Sequence, residues 1–322
     1  MQLGRISKWM CAAILVLAAP ALAQYPNRAI HVYMPGAPGG SFDTLTRLVM
    51  QKLSEQVKQP VVVENVSGAA GMLAVDRCLQ AGADGYSLCI GYVGNIAIAP
   101  WLYKNMTYDP VKDLKPVALM GSVSFVLAVP ASSPFKSVDD LVKYARANPG
   151  KLNYASSGNG TGGHIGGELL KKAQHLEMTH IPYQGAAPAS IALLGGQVDW
   201  AFEALPTALP NVKAGKLRAL AASGPRRIPD LPEVPTMQEL GYKDFDLESG
   251  VGVMVAATTP DDVVRDLNEQ INKALKSPDL ERAYASRGAI PIGGTPEQFA
   301  AYVKSELATY GQVIKTSQAK AD

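Results

Sequence analysis

The chain has 322 residues, of which 47% are hydrophobic, and its 30 basic and 28 acidic side chains give a formal net charge of +2. Arg5 and Lys8 lie in a segment that we expect to be removed, so the rest of the chain is close to neutral and lacks the basic surface that nucleic acid requires. We therefore expect no nucleic-acid partner. A single core rarely organises about 300 residues, so the length predicts two lobes.

Residues 1–23 have the pattern of a secretory signal peptide. Basic residues precede an apolar run at 10–19, and the segment ends in Ala-Leu-Ala at 21–23. The apolar run is too short to cross a hydrocarbon layer of about 30 Å, and the Ala-x-Ala spacing suits cleavage after Ala23. We expect an exported mature chain that begins near Gln24.

Strand and helix patterns alternate along the rest of the chain, which predicts an α/β protein with mostly parallel sheets. The predicted strands are 29–34, 61–64, 86–91, 125–129, 152–155, 179–183, 200–203, 217–222 and 252–256. The predicted helices are 42–57, 71–80, 138–148, 165–174, 187–195, 261–275, 279–287 and 296–318. Polar caps at Ser137, Thr259 and Thr295 mark three of the helix starts.

The apolar runs 125–130 and 252–257 are the predicted crossings between the lobes. The first lobe would then comprise 24–124 and 251–322, with 125–250 inserted as the second lobe. A cleft between two such lobes is a common site for a small ligand.

Two cysteines, Cys78 and Cys89, lie between a helix pattern and the following strand pattern. In an oxidising compartment they can form a disulfide, which for so short a loop contributes about 2–3 kcal/mol. Two buried free thiols fit the sequence equally well, so both interpretations stay open.

Glycine-rich turns at 36–43 and 156–163 each follow a strand pattern and precede a helix pattern, and neither contains a lysine or arginine. Each leaves backbone N–H groups at a helix start, where the helix dipole also favours an anion. Such turns also occur simply because the chain must reverse direction. Their pairing in an exported chain nevertheless predicts that both hold one carboxylate.

Several other side chains are candidates for ligand contacts. His164 follows the second turn and faces either the cleft or solvent. Asp43 complements the dipole of the first helix, and its carboxylate either holds the turn or binds a ligand ammonium. Asp199 and Glu203 flank an apolar strand that we expect to end near the cleft, where they would orient ligand or water; a solvated strand end is the alternative.

The sequence lacks the complete motifs of cofactor and metal sites. The glycines of 158–163 match the dinucleotide pattern G-x-G-x-x-G, but the next strand pattern ends in Gln184 and Gly185, without the acidic residue that binds a ribose. The four histidines have no zinc-ligand spacing. We expect neither a cofactor nor a metal.

A secreted serine hydrolase that uses Ser133 or Ser157 is the alternative from another functional class. Residues 133–136 match S-x-x-K, but no partner motif follows, and an active serine needs a neighbouring base. We therefore expect a protein that is not an enzyme.

Many short segments, in this order and spacing, resemble the Bug receptors, which are periplasmic solute-binding proteins of tripartite tricarboxylate transporters. Among them are Pro-Gly-Ala-Pro-Gly-Gly-Ser-Phe-Asp at 35–43 and Ile-Pro-Tyr-Gln-Gly at 181–185. The other matching segments are 25–28, 63–71, 84–86, 102–103, 108–117, 153–156, 163–164, 194–199, 213–221, 231–236 and 293–296.

The resemblance implies a type II periplasmic-binding fold, in which two α/β lobes joined by a hinge close on a small carboxylate. It implies a periplasmic monomer that delivers this ligand to the membrane permease of the transporter; a sensor for a membrane-bound regulator is an alternative use of the same closed form. The implied ligand contacts, with Asp43 nearby, are Pro38, Gly39, Gly40, Ser41 and Phe42 in the first lobe and Ser157, Gly158, Asn159, Gly160 and Thr161 in the second.

The rest of the implied pocket draws on 68–72, 92–95 and 199–204. The chain departs from the family here: Glu203 stands where the family often has Asp, and 247–252 lacks a tryptophan that the family often has nearby. The resemblance therefore implies the anchor for one carboxylate but not the identity of the ligand.

Overall fold

The computed structural model describes residues 25–243, 245 and 247–316. The expected signal peptide and its cleavage site lie outside this part of the chain. The described strands are β1 (Ile30–Pro35), β2 (Val61–Val66), β3 (Ser87–Tyr92), β4 (Leu114–Pro130), β5 (Asn153–Ser156), β6 (Thr179–Pro182), β7 (Trp200–Ala204), β8 (Leu217–Ala222), β9 (Glu248–Ala256) and β10 (Ala289–Pro291).

The described helices are α1 (Ser41–Val57), α2 (Met72–Ala81), α3 (Ala99–Leu102), α4 (Val138–Ala147), α5 (Gly162–Gln174), α6 (Ala186–Leu194), α7 (Leu205–Lys213), α8 (Asp261–Leu275), α9 (Pro278–Ala285) and α10 (Pro296–Thr316). A 3-10 turn at Ala69–Gly71 precedes α2, and a π-helical turn at Gly94–Ile98 precedes α3. Among residues 25–243, 245 and 247–316, no helix combines the length and apolarity needed to cross a membrane.

The long strand β4 belongs to both lobes. Its first part pairs with β9 from Leu114 to Ser124, in a half-sheet ordered β2-β1-β3-β9-β4 that also carries β10. Its second part pairs with β7 and β8 from Phe125 onwards, in a half-sheet that continues through β5 to β6. One continuous strand therefore links the two α/β lobes.

Strand direction differs from the prediction of mostly parallel sheets. The outer pairs, β1 with β2 and β3, and β5 with β6 and β7, are parallel. Pairs that involve β4 or β9 are antiparallel. The strands β4 and β9 run in opposite directions because one carries the chain into the second lobe and the other carries it back. Hydrophobic periodicity identifies a strand but not the direction of its partner.

Besides the short elements α3 and β10, the sequence missed the first part of β4 and the helix α7, because their prolines and glycines resemble breakers. The first part of β4 contains Pro116 and Gly121, and register shifts at these points accommodate them. In α7, Pro206 occupies the first turn, where its missing N–H costs nothing, and Pro210 follows within the helix. This short helix starts at the end of β7.

The apolar residues that gave the periodic patterns form the core. In α1, Leu45, Val49 and Leu53 recur at four-residue spacing and are fully buried in the same core cluster as Ile30 and Val32 of β1. The open question about the cysteines is answered, because Cys78 of α2 and Cys89 of β3 form a disulfide. It fixes α2 to the sheet that presents the first glycine turn.

Candidate functional site

The first glycine turn joins β1 to α1. Gly36 and Gly39 have φ of 95° and 80°, a backbone conformation that side chains with a Cβ disfavour. Gly40 precedes the helix, and the N–H groups of Ser41 and Phe42 fall in its first turn, where no intrahelical acceptor exists. The turn therefore presents donors and the positive end of a helix dipole at one point.

Asp43 holds this turn in place. Its carboxylate accepts a 2.9 Å hydrogen bond from the Gly39 N–H and another of 2.9 Å from the Asn65 amide. The Arg47 guanidinium, one helical turn later, lies 3.0 Å from the same carboxylate. Two roles were predicted for the Asp43 carboxylate, holding the turn or binding a ligand ammonium. Its contacts support the first role.

The second glycine turn joins β5 to α5. Gly158 and Gly160 have φ of 127° and 74°, and the Thr161 hydroxyl donates a 2.8 Å hydrogen bond to the Gly158 carbonyl. The Ile165 N–H makes the first intrahelical bond, to Thr161. The N–H of Gly162 therefore lies in the first helical turn without an intrahelical acceptor, as in the first lobe.

His164 supports this turn from behind. It is 3% exposed, and its Nδ1 accepts a 3.1 Å hydrogen bond from the Gly160 N–H. Its ring stacks on His180, which stacks on Tyr154, which stacks on Trp200, with centroids 4.2, 4.8 and 4.8 Å apart. His164 is therefore placed to shape the turn through the Gly160 amide.

A third turn, missed in the sequence, faces the first across the cleft. It lies at the start of α6, where Gly185 has φ of 126°. A Cβ on Gly185 would lie 3.0 Å from the Ala37 nitrogen, and a Cβ on Gly40 would lie 3.5 Å from the Ala186 Cβ. The sequence did offer one signal for this turn, a glycine before a helix of small residues. The approach of Gly185 to Ala37 could not be predicted, because it is a contact between the two lobes.

Further contacts cross between the lobes. The hydroxyls of Ser41 in α1 and Thr207 in α7 lie 2.5 Å apart. A Cβ on Gly160 would lie 3.3 Å from Leu102 and 3.5 Å from Ala70, both in the first lobe. The two predicted glycine turns therefore face one shared space in a closed arrangement.

This space is a cleft of about 770 Å³, part of it open to solvent. Apolar side chains such as Phe42, Tyr92 and Phe125 form much of its wall. The predicted site residues that line it are Gly40, Ser41, Phe42, Asp43, Ser157, Thr161 and Glu203. An adjoining opening is lined by the 3-10 turn Ala69–Gly71, by Tyr183, and by the predicted residues Ser157, Gly158 and Asn159.

The remaining predicted residues lie behind this lining or away from it. Pro38 and Gly39 belong to the first turn, and Gly160 and His164 to the second, without lining either opening. Asp199 lies at the opposite end of β7 from Glu203, beside a separate surface depression. Its carboxylate accepts a 2.7 Å hydrogen bond from the Asn153 N–H, so the expectation that Asp199 ends near the cleft is corrected.

Glu203 is enclosed in the wall of the cleft and is only 6% exposed. Neither of its carboxyl oxygens has a hydrogen-bond partner among the described residues, and the same holds for the Ser190 hydroxyl. Burial raises the pKa of Glu203 to about 7, and the nearby Ser190 hydroxyl, outside hydrogen-bonding geometry, offsets this only in part. An unpaired acid of this kind stores a cost that a bound polar group can relieve.

The serine hydrolase alternative gains no geometric support from Ser133 or from the pair formed by Ser156 and His180. Ser133 lies beside the same surface depression as Asp199, and its Oγ accepts a hydrogen bond from the Phe135 N–H. His180 Nε2 lies 2.6 Å from Ser156 Oγ, but this hydroxyl is buried and also bonds to both the N–H and the carbonyl of Gly158. Burial is the main cause that lowers the pKa of His180, to about 3, and the neighbouring His164 and Lys171 lower it further. His180 is therefore a poor base.

Two α/β lobes joined by crossing strands, with helix starts from both lobes meeting at one cleft, define the class of periplasmic-type solute-binding proteins. The profile of the family described as "Tripartite tricarboxylate transporter family receptor" matches residues 45–318. The chain is 35% identical over 306 residues to BugT of Bordetella pertussis, which covers 94% of each chain. It therefore belongs to the Bug family of tripartite tricarboxylate transporter receptors.

Other relatives and solved structures agree. The protein in the tcbD-tcbE intergenic region of Pseudomonas sp. is 37% identical over 297 residues, covering 92% of this chain and 88% of that one. An R. palustris protein solved with adipate has 35% identity and a TM-score of 0.88, covering 91% of this chain and 98% of the other. MatC from Rhodopseudomonas palustris, solved with bound malate, has 30% identity and a TM-score of 0.87, covering 90% and 100%. The family and these structures are solute-binding proteins.

Proposed function

We propose that this protein is a periplasmic receptor that captures a small carboxylate between its lobes and delivers it to the membrane permease of a tripartite transporter. The observation that carries the proposal is the opposition of the two glycine turns across one cleft, with helix-start amides on both sides. The adipate and malate in the structures of similar proteins support a carboxylate as the ligand class.

In this proposal the carboxylate contacts the turns themselves. The contacts are Pro38, Gly39, Gly40, Ser41 and Phe42 in the first lobe and Ser157, Gly158, Asn159, Gly160 and Thr161 in the second, with Asp43 and His164 holding their respective turns. The main-chain amides at the two helix starts, those of Ser41, Phe42 and Gly162, neutralise the anion without lysine or arginine. A closed form favoured by the ligand then presents a changed surface to the permease.

We further propose that residues 1–23 are removed on export. The first lobe, which comprises 24–124 and 251–322, would then move relative to the second lobe, which comprises 125–250. The pairing change along β4 between Ser124 and Phe125 supports the first crossing. The start of β9 opposite Ser124 supports a return close to residue 248. Ligand-dependent closure would change the relative orientation of these two parts, which small-angle scattering measures.

Calorimetry on ligand-stripped, refolded protein tests the proposal with a panel of mono-, di- and tricarboxylates and amino acids. We expect binding of at least one carboxylate, and no binding across the panel would contradict the proposal. Gly39→Val and Gly160→Val should each weaken that binding more than about tenfold, a loss of about 1.4 kcal/mol, while the protein still folds.

Gly215→Val is the matched control for Gly39→Val. Gly215 has φ of 67° against 80° at Gly39, and neither glycine has an atom within 4 Å of an added Cβ. Both substitutions therefore introduce similar backbone strain, but Gly215 lies between α7 and β8, away from the cleft residues. Equal affinity of the Gly39 and Gly215 variants for the carboxylate would mean that the first turn does not help to bind it.

A further inference from the structure

Glu203 lies in the cleft wall near the C-terminal end of β7, whose parallel neighbour β5 ends at the second glycine turn. Its two carboxyl oxygens are enclosed and unpaired, and the Ser190 hydroxyl beside it is unpaired as well, considering residues 25–243, 245 and 247–316. Enclosed polar atoms normally have partners, because an unmade hydrogen bond costs about 1–3 kcal/mol. Two such groups together indicate a place prepared for polar atoms of a ligand.

The surroundings of Glu203 are uncharged. Glu203 shares one face of β7 with Ala201, and it lies opposite Val126 of β4 and beneath α6. Neither α6 nor the second part of β4 has a titratable side chain. Trp200 and Phe202 take the other face of β7, so the His164, Glu168 and Lys171 side chains around Tyr154 lie on the far side of the sheet.

The nearest charged elements are already paired. Asp43 also lines the cleft, but its carboxylate is held by Arg47, Asn65 and the Gly39 N–H. Arg218 of β8 donates to the carbonyls of Ala131, Ser133 and Phe135, and Lys213 at the end of α7 pairs with Asp230. Within the part of the chain that the structure describes, Glu203 therefore has no neighbouring cation to stabilise an ionised carboxylate.

Accepting the carboxylate receptor proposed above, we propose that Glu203 is a neutral acid that recognises the second carboxylate of a dicarboxylate ligand. In the closed cleft the two carboxyl groups share one proton, and Ser190 supplies a further hydroxyl to the pair. Two ionised carboxylates in this enclosed space would repel each other, whereas an acid–carboxylate hydrogen bond is charge-assisted and strong. A monocarboxylate leaves Glu203 unpaired, so the residue selects for dicarboxylates.

This recognition makes capture depend on protons. At a pH above the range in which free Glu203 is protonated, binding a dicarboxylate must take up one proton from solution. The affinity for a dicarboxylate should then fall about tenfold per pH unit on the alkaline side of neutrality and stay level on the acidic side. Burial, which raises the pKa of Glu203 to about 7, sets the position of that change.

Calorimetry with succinate, glutarate and adipate, against butyrate, valerate and hexanoate, tests this inference. Titrations at about pH 8.5 and about pH 6, each in two buffers of different ionisation enthalpy, count the protons exchanged. We expect uptake of about one proton with a bound dicarboxylate at the higher pH and almost none at the lower. Monocarboxylates should bind at least tenfold more weakly and without proton uptake.

Variants separate a ligand contact from a structural effect. Glu203→Gln keeps a donor of similar size, so it should bind the same dicarboxylate with neither proton uptake nor the alkaline loss of affinity. Glu203→Leu should lose the preference for dicarboxylates over monocarboxylates of equal length. Glu177→Gln, which changes an exposed glutamate between α5 and β6, should behave like the unchanged protein.

The outcomes distinguish this inference from the proposal on which it rests. Binding of neither class of acid at either pH would overturn the receptor proposal and this inference with it. Dicarboxylate binding without proton uptake, or with the same pH dependence in Glu203→Gln, would overturn only the role of Glu203. Proton release on binding glutamate, lost in Glu203→Gln, would assign Glu203 to a ligand ammonium and likewise overturn it.

Discussion

The Ser223 hydroxyl donates a 2.6 Å hydrogen bond to the Leu247 carbonyl, and the Leu247 N–H returns a 3.1 Å bond to the Ser223 carbonyl. Ser223 makes the same double connection to Phe125, whose N–H lies 2.9 Å from the Ser223 hydroxyl and whose carbonyl accepts from the Ser223 N–H. Phe125 begins the second-lobe part of β4, and Leu247 precedes β9. One buried serine therefore ties together both chain crossings.

Ser223→Ala should loosen this connection. It leaves the Phe125 N–H and the Leu247 carbonyl buried without the hydroxyl, so we expect the free energy of unfolding to fall by about 2–4 kcal/mol. Chemical denaturation measures the change. Ser124→Ala is the control on the adjacent residue, where the hydroxyl donates to Glu248, and it should cost less than about 1 kcal/mol. Equal losses in the two variants would refute a special role for Ser223.

Asp43→Asn should both destabilise the first lobe and weaken ligand binding. The substitution leaves Arg47 without its carboxylate and removes an acceptor from Gly39, at a cost of about 2–4 kcal/mol in unfolding free energy. We expect affinity for the bound carboxylate to fall at least tenfold, because Gly39 no longer has a fixed position. Asp84→Asn, which breaks the exposed pair with Arg28, should leave affinity unchanged. An Asp43 variant with full affinity would contradict the argument.

The pH dependence of stability should report the enclosed acid at Glu203. Its folded pKa of about 7 lies above the ordinary value of 4.5, so its contribution to stability is fully present below about pH 4.5 and is lost as the pH rises to about 7. Glu203→Gln, which does not titrate, should therefore be more stable than the unchanged protein by on the order of 3 kcal/mol at pH 8.

Denaturation of both proteins at about pH 5 and pH 8 measures that difference. The advantage of the glutamine variant should shrink towards the lower pH. A constant difference between the two proteins would mean that Glu203 ionises normally in the folded state.

The disulfide between Cys78 and Cys89 should be present in exported protein and should contribute to stability. Its loop spans 11 residues in sequence, for which loop closure in the unfolded chain predicts about 2–3 kcal/mol. Mass spectrometry with and without reduction should show a difference of two hydrogens, and reduction should lower the denaturation midpoint. A Cys78→Ser, Cys89→Ser variant that is unaffected by reductant provides the control.

Much of the local structure could be predicted from the sequence because its causes are local. The apolar spacing of α1 and the polar cap at Ser137, whose hydroxyl accepts from the Asp140 N–H, act within a few residues. Both glycine turns were predicted because positive φ and helix starts also leave short-range signals. The order of many short motifs identified the family, which the match to residues 45–318 confirmed.

Longer-range features depended on contacts that no window of sequence contains. Pro116 and Pro210 looked like breakers until pairing with β9 and packing against the second lobe compensated for them. Gly185 looked like an ordinary turn glycine because its approach to Ala37 joins residues from different lobes.

The alternation of strands and helices, the two glycine turns and the family could be predicted from sequence, since backbone propensity, apolar spacing and motif order are properties of neighbouring residues. Tertiary structure alone decided that Asp199 lies away from the cleft and Glu203 lies in its wall, although they flank the same strand. The physical reason is that burial and hydrogen-bond partners come from elements distant in the chain. Among the described residues, the Asp199 carboxylate accepts a hydrogen bond from the Asn153 N–H at one end of β7, whereas the Glu203 carboxyl group at the other end has no partner.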